Sequence, residues 1–485
     1  MNAPRVVIAG LGGDGGKTLI SVGLAAAWRR QGLVVAPFKK GPDFIDAAWL
    51  SLAADAPCGN LDFFLMSAEA ITNAFTRGAA DADVAVIEGN RGLFDGSDAR
   101  GTCSTAEVAK LLRAPVVLAV DGTKRTRTVA AMVLGCQALD PDLDLAAVVL
   151  NRTAGQRHES VMRSAIEDSC GVPVVGALPR LASHPFPERH LGLVPPEEHA
   201  RLHEAVRMAR RAAEEHLDLD AIRRIATTAP RLARAGPARR PTAPVVPAGG
   251  APVRVGVFRD AAFQFYYSDN LEALKREGAE LVSISPLTDA SLPPVDALYI
   301  GGGFPESFAA TLAENRSFRE ALRRAVEEDL PVYAECGGAV YLGRELQLEG
   351  VTYPMAGAIP AVFAFSEKPE GHGYVILETV AANPFYAVEE TLRGHEFHYT
   401  HARAVIAENV SFAFRVLRGQ GFGMGLDGLC YRNVLACYTH VHALGTESWA
   451  PGVVRAAQRH REERLTLGGP HGGEGAPVAA ARDRP

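Results

Sequence analysis

The chain has 485 residues and a mass of 51.5 kDa, room for about two to four domains of ordinary size. Apolar residues make up 47% and charged residues 22%, which excludes a largely disordered, collagenous or disulfide-scaffold protein. The net charge of −6 speaks against a general nucleic-acid binder, and no apolar run has the roughly 18 residues of a membrane span.

Arg5–Ala9 reads as a buried strand, too short for the apolar core of a signal peptide. It runs into Gly10-Leu-Gly-Gly-Asp-Gly-Gly-Lys17-Thr18, and an amphipathic helical stretch follows at Leu19–Gln31. Further Val- and Ile-rich strands are expected at Val34–Phe38, Val84–Glu88, Val116–Val120, Ala146–Leu150 and Val174–Ala177. Helical patterns such as Thr126–Leu139 lie between them. That alternation predicts a mostly parallel sheet covered by helices. Glu197–Ile225 reads as helical and highly charged. Thr227–Pro252 holds six prolines and reads as a linker.

A second β-α alternation starts at Val253. Strands are expected at Val253–Phe258, Ala279–Ile284, Ala297–Ile300 and Pro331–Ala334, and helices at Asn270–Glu277 and Ser317–Glu328. The Gly/Ala/Pro-rich stretch 468–485 reads as a disordered tail. The expected division is therefore 1–226, a linker at 227–252, 253–467, and the tail.

The Gly-rich loop sits between a strand and a helix, the context of a phosphate-binding loop. Backbone N–H groups of Gly12, Gly13, Gly15 and Gly16 would cradle phosphates, Lys17 would meet the β/γ oxygens and Thr18 would hold Mg²⁺. The loop is one residue longer than the strict G-x₄-G-K-T pattern and resembles the dethiobiotin-synthetase-like branch. Carboxylates gather at neighbouring strand ends, in Lys39-Lys40-Gly-Pro-Asp43-Phe-Ile-Asp46 and in Glu88-Gly-Asn-Arg91-Gly-Leu-Phe-Asp95. Glu88 is the first metal candidate, with Asp43 and Asp46 completing the shell or orienting substrate. Turn chemistry is the plain alternative for these acids. Lys39, Lys40, Arg91 and Arg189 are candidate partners for an anionic substrate.

The seven cysteines include no C-x-x-C pair, which fits reduced thiols and a cytoplasmic protein. Cys336 stands apart. The run Val332-Tyr-Ala-Glu335-Cys336-Gly-Gly-Ala-Val is strand, Cys, glycine pair, then helix, as in a nucleophile elbow. The helix start would lower the thiol pKa and offer N–H groups to an oxyanion. Gly301-Gly-Gly303 after another strand is a candidate for the rest of that hole. His440, in Cys437-Tyr-Thr-His440-Val-His442, is the candidate base. Gly394-His395-Glu-Phe-His398-Tyr is read as substrate contacts or a satisfied network before catalysis.

Together these motifs resemble the cobyrinate a,c-diamide synthases over roughly residues 5–450. Asn60-Leu-Asp62, Arg189-His-Leu-Gly-Leu-Val194 and Phe263-x-Phe-Tyr-Tyr267-x-Asp-Asn-Leu271 add to the match. The resemblance implies an N-terminal dethiobiotin-synthetase-like ATPase domain and a C-terminal class I glutamine amidotransferase domain of flavodoxin-like fold. It implies that Cys336 forms a thioester with glutamine and that His440 activates it. It implies ATP with Mg²⁺ at the loop, adenine near Asn151, and Asp46, Glu88 and Asp95 around the metal and the reacting carboxylate. Arg91, Arg189 and Asp43 would face a tetrapyrrole polycarboxylate, amidated first at c and then at a. Two departures stand out. His442 occupies the position where most triad amidotransferases carry Glu, and Asn90-Arg91 replaces the family's Val-Met. Amidation of sirohydrochlorin derivatives is the alternative within the class. A nucleotide-switched binding protein with an inactive amidase domain is the alternative outside it. A homodimer is compatible with the sequence; no membrane or nucleic-acid partner is expected.

Overall fold

The Val- and Ile-rich runs of the N-terminal half form one parallel sheet in the computed structural model, which describes residues 3–181, 185–186, 188–189, 192–198, 201–232, 251–405 and 409–467. Its strands are β1 (Arg5–Gly10), β2 (Val35–Lys40), β3 (Gly59–Leu61), β4 (Val84–Glu88), β5 (Val116–Asp121), β6 (Leu145–Thr153) and β7 (Val174–Pro179). They lie in the order β3-β2-β4-β1-β5-β6-β7, with every pairing parallel. Side chains alternate across the sheet, so β1 feeds two cores: Val6 and Ile8 into one, Val7 and Ala9 into the other. Two buried faces explain why these strands read as continuous apolar runs. Helix α1 (Lys17–Arg30) returns the chain from β1, and α2 (Ile45–Ala54) follows β2. The chain leaves β1 toward β2 on one side and later fills β5, β6 and β7 on the other. The crevice beyond the end of β1 is thus the topological switch point.

Two expectations change here. The three-residue β3 has no apolar run of its own and was not anticipated. The stretch Glu197–Ile225 is not one helix: a 3₁₀ turn at Pro196–Glu198 precedes separate helices at Leu202–His216 and Leu219–Thr228. Asp218 separates them because its carboxylate accepts from the Ala221 amide (2.8 Å) and so starts a new helix. Strands β8 (Glu188–Arg189) and β9 (Gly192–Leu193) form a small antiparallel pair. Most of the expected linker and the whole expected tail lie outside the described residues.

The second half contains β10 (Val253–Phe258), β11 (Ala279–Ile284), β12 (Ala297–Ile300), β13 (Val332–Glu335), β14 (Glu345–Leu348), β15 (Val351–Pro354), β16 (Ala361–Phe365), β17 (Gly371–Thr379), β18 (Thr391–His398), β19 (Thr400–Val405), β20 (Ser411–Arg418), β21 (Leu426–Tyr431), β22 (Val434–Cys437) and β23 (His440–Val441). Five strands, in the order β11-β10-β12-β13-β22, are parallel and follow the flavodoxin-like 2-1-3-4-5 pattern. The sheet then continues antiparallel through β21, β20, β17, β18 and β23, an extension the sequence reading lacked. Since β23 follows β22 almost at once in the chain, this extension curls back on itself.

The two halves dock closely. Tyr267 is buried within the N-terminal core, and Phe304 packs into the other N-terminal cluster. The Tyr374 hydroxyl donates to Asp62 Oδ2 (2.6 Å), the Ser268 hydroxyl to the Cys58 carbonyl (2.8 Å), and Arg77 pairs with Asp269 (2.9 Å). Backbone meets backbone at Gly445: a Cβ there would lie 1.7 Å from the Leu65 carbonyl oxygen. Among the described residues, no helix is long and apolar enough to cross a membrane.

Candidate active site

The Gly-rich loop caps α1 in a conformation only glycine takes easily. Gly16 has φ +91°, and a Cβ there would fall 2.2 Å from the Asn151 amide nitrogen. Asn151, at the end of β6, donates to the Gly15 carbonyl (3.0 Å) and accepts from the Arg152 amide (2.9 Å). Its amide group therefore braces the loop, at the strand end where the resemblance sets the adenine. Lys17 folds over the loop and donates to the Gly12 carbonyl (2.8 Å). Burial, and then the charge of Lys39, lower its pKa.

Beyond the loop the acids form one buried cluster. Thr18 donates its hydroxyl to Glu88 Oε1 (2.8 Å), and Lys39 donates to Glu88 Oε1 (2.9 Å) and to Asp46 Oδ2 (2.6 Å). Burial pulls Lys39 down, but Asp46 and Glu88 outweigh it and hold the ammonium charged. Burial raises Glu88 to about 7 against the pull of Lys39, with Asp46 adding to the rise. Asp43 accepts from the Asp46 amide (2.8 Å) and is raised to about 6 by burial and by the Asp46 charge. Glu88 Oε2 is buried without a hydrogen-bond partner. An open carboxylate oxygen, a neighbouring hydroxyl and a second carboxylate are the hard-oxygen donors Mg²⁺ takes alongside phosphate. No group of three His, Cys, Asp or Glu side chains forms a self-sufficient metal site among the described residues. The donor set therefore fits a metal that arrives with a phosphate.

In the second half, β13 ends at Glu335 and the chain turns sharply at Cys336, with φ +48° and ψ −108°. Helix Gly337–Leu342 begins there. Its glycine pair is required by the facing turn: a Cβ on Gly338 would meet the Ile300 carbonyl at 2.6 Å, and one on Gly337 would meet Gly303 N at 3.1 Å. The Gly301–Gly303 turn thus lies beside the nucleophile. It also lies beside the base, because a Cβ on Gly302 would sit 2.7 Å from His440 Cε1. The Gly301 amide is taken by the Tyr266 hydroxyl (2.8 Å), so that amide is not free for an oxyanion as expected. The expectation of a lowered thiol pKa is also corrected. Burial, reinforced by Glu306, pushes the Cys336 thiol well up, and this outweighs the adjacent Gly337 N–H.

Glu335 is the residue the sequence reading missed. Its Oε2 lies 3.1 Å from His440 Nδ1, and its Oε1 accepts from the Val441 amide (3.3 Å). The Tyr299 hydroxyl donates to Oε2 (3.3 Å), and Asn270 ties Tyr299 to the Val441 carbonyl (2.9 Å). Both Glu335 and His440 are buried. The signal was available: a charged residue at the buried end of an apolar central strand is costly unless partnered. His442 points elsewhere, accepting from the Leu444 amide and lying 3.8 Å from Asp269. His395 is satisfied by the Tyr267 hydroxyl (3.1 Å) and stacks on His440.

A cavity of about 450 Å³ opens between the two domains, lined by His440 but not by Cys336, Thr18 or Glu88. Asp43, Arg91 and Asp95 line it from the N-terminal domain, and His395 and His440 from the C-terminal one. Asp95 accepts from the Gly92 amide (2.7 Å). Arg189 lies in β8, and its side chain is outside the described residues. All seven cysteines are free thiols.

Comparison with known proteins agrees with this arrangement. Residues 6–193 match the CobQ/CobB/MinD/ParA nucleotide binding domain, and residues 254–448 the CobB/CobQ-like glutamine amidotransferase domain. The cobyrinate a,c-diamide synthase of Magnetococcus marinus is 45% identical over 454 residues, covering 93% of this chain and 97% of its own. That of Archaeoglobus fulgidus is 41% identical over 464 residues, 95% of this chain and 99% of its own. That of Methanothermobacter thermautotrophicus is 39% identical, covering 93% and 99%. With a nucleotide-binding domain followed by an amidotransferase domain, and likeness to these relatives along nearly the whole length of both partners, the chain belongs to the cobyrinate a,c-diamide synthase family.

Proposed function

We propose that this protein amidates the a- and c-carboxylates of cobyrinate, using ATP to activate each carboxylate and glutamine as the nitrogen source. The observation that carries the reading is the shared cavity, with the glutaminase base His440 on one wall and, on the other, Asp43 from the loop after β2 and Arg91 and Asp95 from the loop after β4.

In the amidotransferase domain, Cys336 attacks the glutamine amide carbon. His440 takes the thiol proton and returns it to the departing ammonia, leaving a thioester that water hydrolyses to glutamate. Glu335 holds the proton on His440 Nδ1, so that Nε2 is the nitrogen that receives the thiol proton, and it stabilises the imidazolium that forms. Glu335 is thus a positioning residue that stands in for the missing His-x-Glu acid. In the nucleotide-binding domain, the amides of Gly12, Gly13, Gly15 and Gly16, with Lys17, hold the ATP phosphates. Thr18, Glu88 and Asp46 would hold Mg²⁺, which when bound neutralises phosphate charge. Asp43, Asp95 and Arg91 orient the acceptor carboxylate, which takes the γ-phosphoryl group as ADP leaves. Ammonia crossing the cavity attacks the acyl phosphate, forms the amide and releases phosphate. Asn151 serves as the brace of the loop.

The test pairs two substrates with two nitrogen sources. Cys336→Ser loses glutamine-dependent amidation of cobyrinate and keeps amidation supported by ammonium ion, read by mass spectrometry. Amidation of sirohydrochlorin but not of cobyrinate by the unaltered protein would replace the acceptor. Glutamine-dependent amidation surviving in the Ser variant would remove Cys336 from the mechanism.

A further inference from the structure

The charges lining the cavity are unevenly engaged. Its carboxylates already have donors: Asp43 the Asp46 amide, Asp95 the Gly92 amide, and Glu396 the amides of Gln420 and Gly421. The cations do not. Lys40 is only 4% exposed, yet its ammonium has no ion-pair or hydrogen-bond partner among the described residues. Burial lowers its pKa, and the acid it feels most, Asp62, is held by Tyr374 and by the Phe64 and Leu65 amides. Arg91 and Arg418 also line the cavity without a carboxylate partner among the described residues. A buried ammonium at the edge of an open space is costly until an anion arrives.

Arg418 comes from the amidotransferase domain, at the end of β20. Its guanidinium carbon lies 5.3 Å from the ring centre of Phe64 in the nucleotide-binding domain, and Phe64 stacks on Tyr374 at 4.2 Å. This cation–π contact steadies the side chain across the domain boundary and leaves its donor fork free. On the same wall His372 stacks on Phe397 at 4.3 Å, which presents a flat ring pair.

We infer that the amidotransferase domain builds part of the acceptor site: Arg418 binds a peripheral carboxylate of a flat polycarboxylated macrocycle. The His372–Phe397 pair lies along the macrocycle face. Lys40 and Arg91 hold further carboxylates from the opposite domain. The inference rests on the proposed acceptor class and deepens it by making the glutaminase half a reader of the acceptor. ATP phosphate is the other anion that could answer these cations, so both ligands enter the test.

The experiment titrates full-length protein with cobyrinate, followed by its visible absorption without glutamine or ATP, and separately with MgATP. Arg418→Gln keeps the stem near Phe64 and removes the charge. It weakens cobyrinate binding about 10–100-fold, the range of a lost charge-assisted hydrogen bond, and Arg418→Lys regains part of the loss. Melting temperature reports whether each variant is folded, and the Lys variant carries the test if the Gln variant is not. Unchanged cobyrinate affinity in folded Arg418→Gln overturns the inference, as does a loss of equal size for MgATP. If the unaltered protein binds sirohydrochlorin instead, the cobyrinate reading fails while an Arg418→Gln loss on that ligand sustains the site. If the unaltered protein binds neither macrocycle, the inference fails as well.

Discussion

Replacing Glu335 by Gln tests the glutaminase geometry most directly. Its Oε2 faces His440 Nδ1 at 3.1 Å, and both groups are buried. When the imidazole takes the Cys336 proton, a positive charge appears beside this carboxylate. Unit charges about 4 Å apart at an effective dielectric near 20 attract by ~4 kcal/mol. That converts to about 10³-fold in rate. Gln removes the attraction and can also donate to Nδ1, which favours the imidazole tautomer that cannot accept the thiol proton. Glutamine-dependent amidation by Glu335→Gln should therefore fall by about 10³-fold. Amidation supported by ammonium ion, which bypasses Cys336, should persist, and Glu335→Asp should regain part of the glutamine rate. A kcat with glutamine within about tenfold of the parent would refute the assignment, since the electrostatic argument requires a larger loss.

Three further outcomes follow from the site. Because burial raises the Cys336 thiol, inactivation by iodoacetamide should keep rising as pH increases through 9, the ordinary thiol value. A plateau below that pH would mean the resting thiol is already ionised. Gly16→Ala combines a positive φ with a collision against Asn151, so the KM for ATP should rise by about tenfold or more; an unchanged KM would show that the loop does not hold the nucleotide in this conformation. Lys39→Met leaves Glu88 and Asp46 without their cation, and denaturant unfolding should show a loss of about 3–5 kcal/mol; a change below ~1 kcal/mol would mean that Lys39 is not what holds the two acids in the native protein.

The parallel cores were legible because strands buried on both faces announce themselves as Val- and Ile-rich runs, and because the Gly-rich loop and the Cys-Gly-Gly turn are local in sequence. The antiparallel extension was not legible. In β17 buried Val375 and Leu377 alternate with half-buried Tyr374 and Ile376, so both faces are apolar in sequence and no period of two stands out, and its partners β18 and β20 are chosen by tertiary packing. Glu335 was overlooked for a related reason. The ladder between β13 and β22 sets Glu335 opposite Cys437, three residues before His440, and no spacing along the chain reveals that register. The thiol pKa was misjudged because a short helix start is visible in sequence, whereas the burial that opposes it is not. Arg418 lies in no motif and reaches the cavity through the pairing of β20 with β17, opposite Ile376, which no sequence pattern announces.

Gly445 bears on protein engineering. Where its Cα meets the Leu65 carbonyl, the separation between the domains is set by main-chain atoms, with no room for even a methyl group. A chimera that joins this nucleotide-binding half to an amidotransferase half from a relative must keep glycine at this position and the Leu65 turn opposite it. A graft that lacks either would hold two sound catalytic halves at the wrong distance, and the ammonia released in one would escape to solvent before reaching the other.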